Sequence, residues 1–78
     1  MLPECQLFGT LGCHLCEIAE AQIIPLVEHG LWVERVDITA PQDLTDLYGL
    51  RIPVLRRVDT GAELDWPFDT AQVVAFLG

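Results

Sequence analysis

The sequence predicts an α/β fold, a four-stranded mixed sheet flanked by about three helices in the order β-α-β-α-β-β-α. Three observations carry this. The hydrophobic pattern changes from alternation over residues 4–8 to helical spacing from Cys13 onward. A run rich in Trp and β-branched residues follows at 31–38, so a helical crossover joins two strands and makes them parallel. Further on, Asp59-Thr60-Gly61 separates two short strand-like runs and makes them an antiparallel hairpin.

The first strand is read at residues 4–8, and Gly9-Thr10-Leu11-Gly12 is a loop with two permissive glycines. The first helix starts at Cys13 and places Leu15, Ile18, Ala19, Ile23, Leu26 and Val27 on one face. Pro25 should kink it or end its regular part, and His29-Gly30 is its stop signal. Thr39-Ala40-Pro41 opens a short second helix with Asp43 near its N-terminus, Leu44, Leu47 and Tyr48 on one face, and Gly49 as C-cap. Strands follow at 54–58 and 62–66. Asp69 or Thr70 caps a last helix whose apolar side is Val73, Val74, Phe76 and Leu77.

Seventy-eight residues make one domain, 1–78, without separate catalytic and cofactor modules. A chain of this size buries only about 60% of the surface its unfolded form exposes, so its margin of stability is thin. Four basic residues against twelve acidic ones give a net charge of −8, and no lysine is present. Such a chain repels phosphate backbones and anionic membrane surfaces, which argues against nucleic-acid or membrane partners. The start, Met1-Leu2-Pro3-Glu4-Cys5-Gln6, has no cationic region followed by an apolar run. No apolar stretch approaches the ~20 residues of a membrane span. A reducing, cytoplasmic location is the expectation, and three cysteines do not suggest a structural disulfide framework.

The informative segment is Cys13-His14-Leu15-Cys16, which follows a strand and a Gly-containing loop and opens a helix. Residues three apart on a helix share a face, close enough for a disulfide to close. Cys13 sits where unpaired N–H groups and the helix dipole favour an anion, a setting that lowers thiol pKa values from about 8.5 to roughly 3.5–7.5. Cys16, one turn in, is more enclosed. The pair therefore offers an attacking thiolate and a resolving partner.

Zinc is the competing reading of CxxC. A closed site needs four ligands, and only Cys5, His14 and His29 remain to complete one within the chain. A metal shared between two chains stays open. His14 reads as a tuning or exposed residue, His29 as a helix-end residue, and Cys5 as a small apolar residue in or near the sheet. Base rates favour a trans Ile52–Pro53 bond, a proline at the start of a strand.

Leu7-Phe8 before the loop, Gly12-Cys13-His14-Leu15-Cys16, Val36-Asp37-Ile38 and Tyr48-Gly49-Leu50-Arg51-Ile52-Pro53-Val54-Leu55 together resemble the thioredoxin fold. More closely, the chain is similar to the small glutaredoxin-like proteins of bacteria, over nearly its whole length. The resemblance implies that Cys13 is the nucleophile and Cys16 the resolving cysteine. It also implies that Pro53 is cis and faces them, which reverses the base-rate expectation, and that the Ile52 backbone pairs with a bound thiol or peptide. The chain departs from glutaredoxins in carrying His-Leu between the cysteines. It also has Trp66-Pro67 where those proteins have a Gly-Gly pair that approaches a glutathione carboxylate. Asp69 and Thr70 stand where a ligand amine and carboxylate could be met, and anion recognition falls to Arg51 or helix N-termini.

The expected function is thiol–disulfide exchange through Cys13 and Cys16, with His14, Ile52, Pro53, Asp69 and Thr70 as substrate-binding residues. The protein would act as a monomer on a disulfide-containing protein or a small thiol substrate. No metal or organic cofactor is called for, and glutathione is a candidate electron donor. The alternatives are a non-catalytic thioredoxin-fold binding module and a metal-sharing dimer.

Overall fold

Alternation at the start of the chain becomes β1 (Cys5–Gly9) in the computed structural model, which describes residues 3–39 and 44–78. The period of two sends Cys5 and Leu7 to one face of the sheet and Phe8 to the other. β1 is central. It pairs in parallel with β2 (Val33–Asp37) and antiparallel with β3 (Val54–Arg57), which pairs antiparallel with β4 (Glu63–Asp65), giving the order β2-β1-β3-β4. The expected mixed four-stranded sheet is therefore present, each strand within about two residues of its predicted ends.

Two helices cover one face. Ala19 and Ile23 of α1 (His14–Val27) and Val73 and Leu77 of α3 (Thr70–Leu77) close over Cys5, Leu7 and Leu55. On the other face Phe8, Ile38 and Val54 pack with Tyr48 of the one-turn helix α2 (Thr45–Tyr48). Each apolar stripe is narrower than its spacing suggests. Leu15, Ile18 and Val27 of α1, Leu47 of α2 and Val74 of α3 are exposed. In so small a domain only the centre of each stripe reaches the sheet.

α1 runs through Pro25 rather than ending there. One turn earlier, the Gln22 carbonyl accepts the Thr70 hydroxyl at 2.7 Å, and the Gln22 side-chain oxygen accepts the Thr70 N–H at 3.1 Å. The disturbed turn is thus sutured to the start of α3. α1 ends at Val27, just before the expected His29-Gly30 stop; the Gly30 N–H donates to the Val27 carbonyl, and a φ of 103° at Gly30 lets the Leu31 N–H reach the Leu26 carbonyl. At α3, Asp69 accepts the Gln72 N–H while the Gln72 side chain accepts the Asp69 N–H, a reciprocal capping box.

The expected start of the second helix at Ala40, Pro41 and Asp43 lies outside the described residues. Gly49 does cap α2, but in the right-handed region, with φ −56°. It is needed for space, since a Cβ there would stand 2.6 Å from the Thr45 carbonyl oxygen. Among the described residues no helix is long and apolar enough to cross a membrane.

Candidate functional site

β1 ends at Gly9, and the turn through Gly12, at φ 77°, delivers the chain to the start of α1. Cys13 has an extended backbone and is the helix N-cap. Its Sγ accepts the Cys16 N–H at 3.2 Å, and its carbonyl accepts the Glu17 N–H at 3.3 Å. The sulfur thus occupies the place that a Ser or Asp oxygen takes at other helix starts, facing otherwise unpaired N–H groups. Cys13 and Cys16 are joined as a disulfide across a Cα–Cα distance of 5.2 Å, and both are half-buried.

Gly9 belongs to this site. A Cβ on it would come within 2.9 Å of Cys16 Sγ and 3.3 Å of Cys16 Cβ, so the second sulfur rests on bare backbone at the end of the central strand. Sequence reasoning treated Gly9 as a loop glycine chosen for conformational freedom. The strand-ending glycine four residues before CxxC was the available signal, but only the packing shows that its missing side chain makes room for Cys16.

The Ile52–Pro53 peptide is cis, so the base-rate expectation of trans is corrected and the cis bond expected from the resemblance is present. Trp66–Pro67 is also cis. Phe8 pairs with Val54, and one further step of that register puts Pro53 opposite Gly9, the residue against which Cys16 packs. Pro53 is fully buried, and Ile52 packs on the Phe8–Tyr48 cluster while its N–H donates to the Tyr48 carbonyl at 3.0 Å. His14 points outward with Nδ1 3.8 Å from a Glu17 carboxylate oxygen. Asp69 and Thr70 hold the start of α3 and its link to α1, and neither lines the cleft at the cysteines.

That cleft, about 400 Å³, opens between α1 and the Gly9–Asp37 end of the β1–β2 pair, with Cys13 and Cys16 in its wall. Glu17, Glu20 and Asp37 line it together with Arg35, whose guanidinium lies 3.6 Å from Glu20. Asp37 accepts the Thr39 hydroxyl at 2.7 Å and the Thr39 N–H at 2.9 Å. These bonds, with a smaller one from Thr10, hold its carboxyl below the usual carboxylate range.

The other cations are engaged elsewhere. Arg51 grips Asp65 through two bonds, 2.6 and 3.1 Å, and Glu63 through a third at 2.8 Å, and lies over the Tyr48 ring at 5.3 Å. Tyr48 donates to the second Glu63 oxygen at 2.6 Å. The expectation that Arg51 recognises anions is therefore corrected: it ties the α2–Pro53 segment to β4. Arg57 pairs with Asp59 and donates to the carbonyls at the end of α3, and Arg56 acts on Tyr48 and Glu63. Cys5 is a free, buried thiol whose pKa burial raises, partly offset by Arg57, which favours the thiol over the thiolate. Among the described residues no three His, Cys, Asp or Glu side chains converge as a metal site.

These ion pairs carry a pH signature. Hydrogen bonds from Arg51 to Asp65, from Tyr48 and Arg51 to Glu63, and from Arg57 to Asp59 lower all three carboxyl pKa values. A carboxyl depressed by folding adds stability in full above its unfolded pKa of about 4, and loses it as pH falls through the folded value. Urea midpoints are expected to be level from pH 7 down to about 5 and to fall progressively below about 4. A midpoint unchanged at pH 3 would show these pairs to be energetically silent.

A mixed β2-β1-β3-β4 sheet, a CxxC pair at the start of the first helix and a cis-proline at the start of β3 define a thioredoxin-fold protein of the glutaredoxin-like type. The chain belongs to the Glutaredoxin-like domain (DUF836) family, which it matches over residues 4–78. A crystal structure of the structural-genomics target XcR50 from X. campestris is 37% identical and superposes with a TM-score of 0.80, covering 94% of this chain and 93% of that one. A solution structure of the same target gives 38% identity and a TM-score of 0.76, over 99% and 92%. The solution structure of protein Ne2328 from Nitrosomonas europaea is 31% identical with a TM-score of 0.80, over 100% of this chain and 94% of that one. A comparison with curated proteins found no match.

Proposed function

We propose that the protein is a thiol–disulfide oxidoreductase. In the reduced protein the Cys13 thiolate attacks one sulfur of a substrate disulfide, forms a mixed disulfide and releases one substrate thiolate. The Cys16 thiolate then attacks the Cys13 sulfur, releases the second substrate thiolate and closes the Cys13–Cys16 bond. Two electrons pass from protein to substrate, and an external thiol reductant, glutathione being one candidate, restores the dithiol. No resident metal or organic cofactor enters, and a reducing compartment such as the cytoplasm suits the cycle. The substrate is held as an extended thiol or peptide against the Ile52–Pro53 corner, where the Ile52 carbonyl is the backbone group left to meet it. His14 stands on the exposed side of the cysteines, and Asp69 and Thr70 are assigned to the far end of a longer ligand.

The observation that carries this reading is the cap geometry, in which Cys13 Sγ faces the Cys16 N–H at the helix start. Its test is a titration of the purified protein in glutathione redox buffers, trapped by alkylation and read by mass. Cys13 and Cys16 are expected to oxidise together at one midpoint, while buried Cys5 is alkylated only after unfolding. Two thiols that stay reduced throughout would overturn the reading and favour a binding module.

A further inference from the structure

The cleft beside the disulfide has Cys13 and Cys16 in its wall and lies on the β2 side of β1, so its charges act at close range on any disulfide brought to those sulfurs from the Ile52–Pro53 side. The disulfide marks it as a site. Its charges bear on which disulfides approach.

Glu17, Glu20 and Asp37 face this space, and Arg35 is the cation among the described residues that line it. Arg35 lies 3.6 Å from Glu20, so these two charges offset each other and leave those of Glu17 and Asp37. Asp37 keeps its charge to lower pH than an ordinary carboxylate because Thr39 and Thr10 donate to it. Glu17 has His14 as its near partner, at 3.8 Å. Arg51, Arg56 and Arg57 stand at the β3–β4 side and none lines the cleft. The approach to Cys13 is thus net negative, within a molecule of formal charge −8.

We infer that the carboxylates beside Cys13 and Cys16 favour disulfides whose flanking groups are cationic, such as a disulfide set among basic residues of a protein, over anionic small disulfides. The inference rests on the redox reading above. A negative approach attracts such a substrate before the sulfurs meet, and repels a dianion while its charge is within a Debye length.

The test is the second-order rate at which the dithiothreitol-reduced, desalted protein is oxidised by three small disulfides. These are cystamine, a dication; 2-hydroxyethyl disulfide, neutral; and dithiodiglycolate, a dianion. Each rate is divided by that of the same disulfide with free dithiothreitol, which removes intrinsic reactivity. At about 0.01 M ionic strength the dication is expected to outrun the dianion by roughly tenfold or more, with the neutral disulfide between them, and at about 1 M salt the three should converge. The Glu17→Gln, Glu20→Gln double variant should lose most of the preference. A control of equal charge change, Glu4→Gln with Glu28→Gln at the opposite ends of β1 and α1, should keep it.

A dianion as fast as the dication at low salt would overturn the inference. So would equal losses in the two double variants, which would assign the preference to the whole molecule. If the neutral disulfide reacts no faster with the protein than with its Cys13→Ser form, the redox reading itself fails and this inference falls with it.

Discussion

Replacing Cys13 by Ser is expected to lower the rate of disulfide reduction at least about a thousandfold, since a hydroxyl is neither ionised nor comparably nucleophilic near pH 7. Replacing Cys16 should act differently. Cys16→Ser keeps the attacking sulfur at the helix start but removes the group that resolves the mixed disulfide, so a covalent adduct of Cys13 with half the substrate should accumulate. Mass spectrometry after mixing with 2-hydroxyethyl disulfide reads both variants. The expectation follows from the cap. The Cys13 sulfur accepts an N–H at 3.2 Å and lies on the axis end where a helix favours negative charge, whereas Cys16 lies a turn inside against Gly9. Alkylation of the reduced wild type at pH 6 should accordingly modify Cys13 well before Cys16. Equal turnover by wild type and Cys13→Ser would assign the chemistry to some other group, and an adduct on Cys16 instead would reverse the assigned roles.

Sequence patterns that encode backbone direction were legible, and those that depend on distant contacts were not. Alternation followed by helical spacing located β1, α1 and β2 because periods of two and 3.6 are set by local geometry. Gly30 and Asp69 could be recognised as helix boundaries because a left-handed turn and an N-cap are also local requirements. The cysteine pair was legible for the same reason, being a spacing of three at a helix start. Arg51 was misread because its partners, Glu63 and Asp65, arrive only when β4 folds back beside β3. The isomer of Pro53 could not be had from local preference either, and came from resemblance. The width of each apolar stripe depends on how much sheet is available to cover. In a sheet whose strands are three to five residues long, residues such as Leu15 and Val74 remain outside.

Gly9 is where fold and chemistry meet most closely, and Gly9→Ala is expected to change both. An added Cβ would stand 2.9 Å from Cys16 Sγ, closer than side-chain carbons approach sulfur, so something must move. In the reduced protein the Cys16 sulfur can rotate away at small cost, which leaves only the milder approach of 3.3 Å to Cys16 Cβ. In the oxidised protein that sulfur is bonded to Cys13, itself fixed by its place at the helix start, and the clash must instead be relieved by displacing the α1 terminus from β1. The penalty therefore falls mainly on the disulfide form. Overpacking of this kind costs about 1–3 kcal/mol. For a two-electron couple that moves the Cys13–Cys16 midpoint by about 20–60 mV towards oxidising values, making the variant a weaker reductant. Urea unfolding should show the same asymmetry, with the oxidised variant losing most of the difference and the reduced variant little. If Gly9→Ala lowered both forms equally and left the midpoint unchanged, the glycine would serve only the packing of β1 against α1. A shift confined to the oxidised form would show instead that the end of the central strand helps to set how strongly this dithiol gives up its electrons.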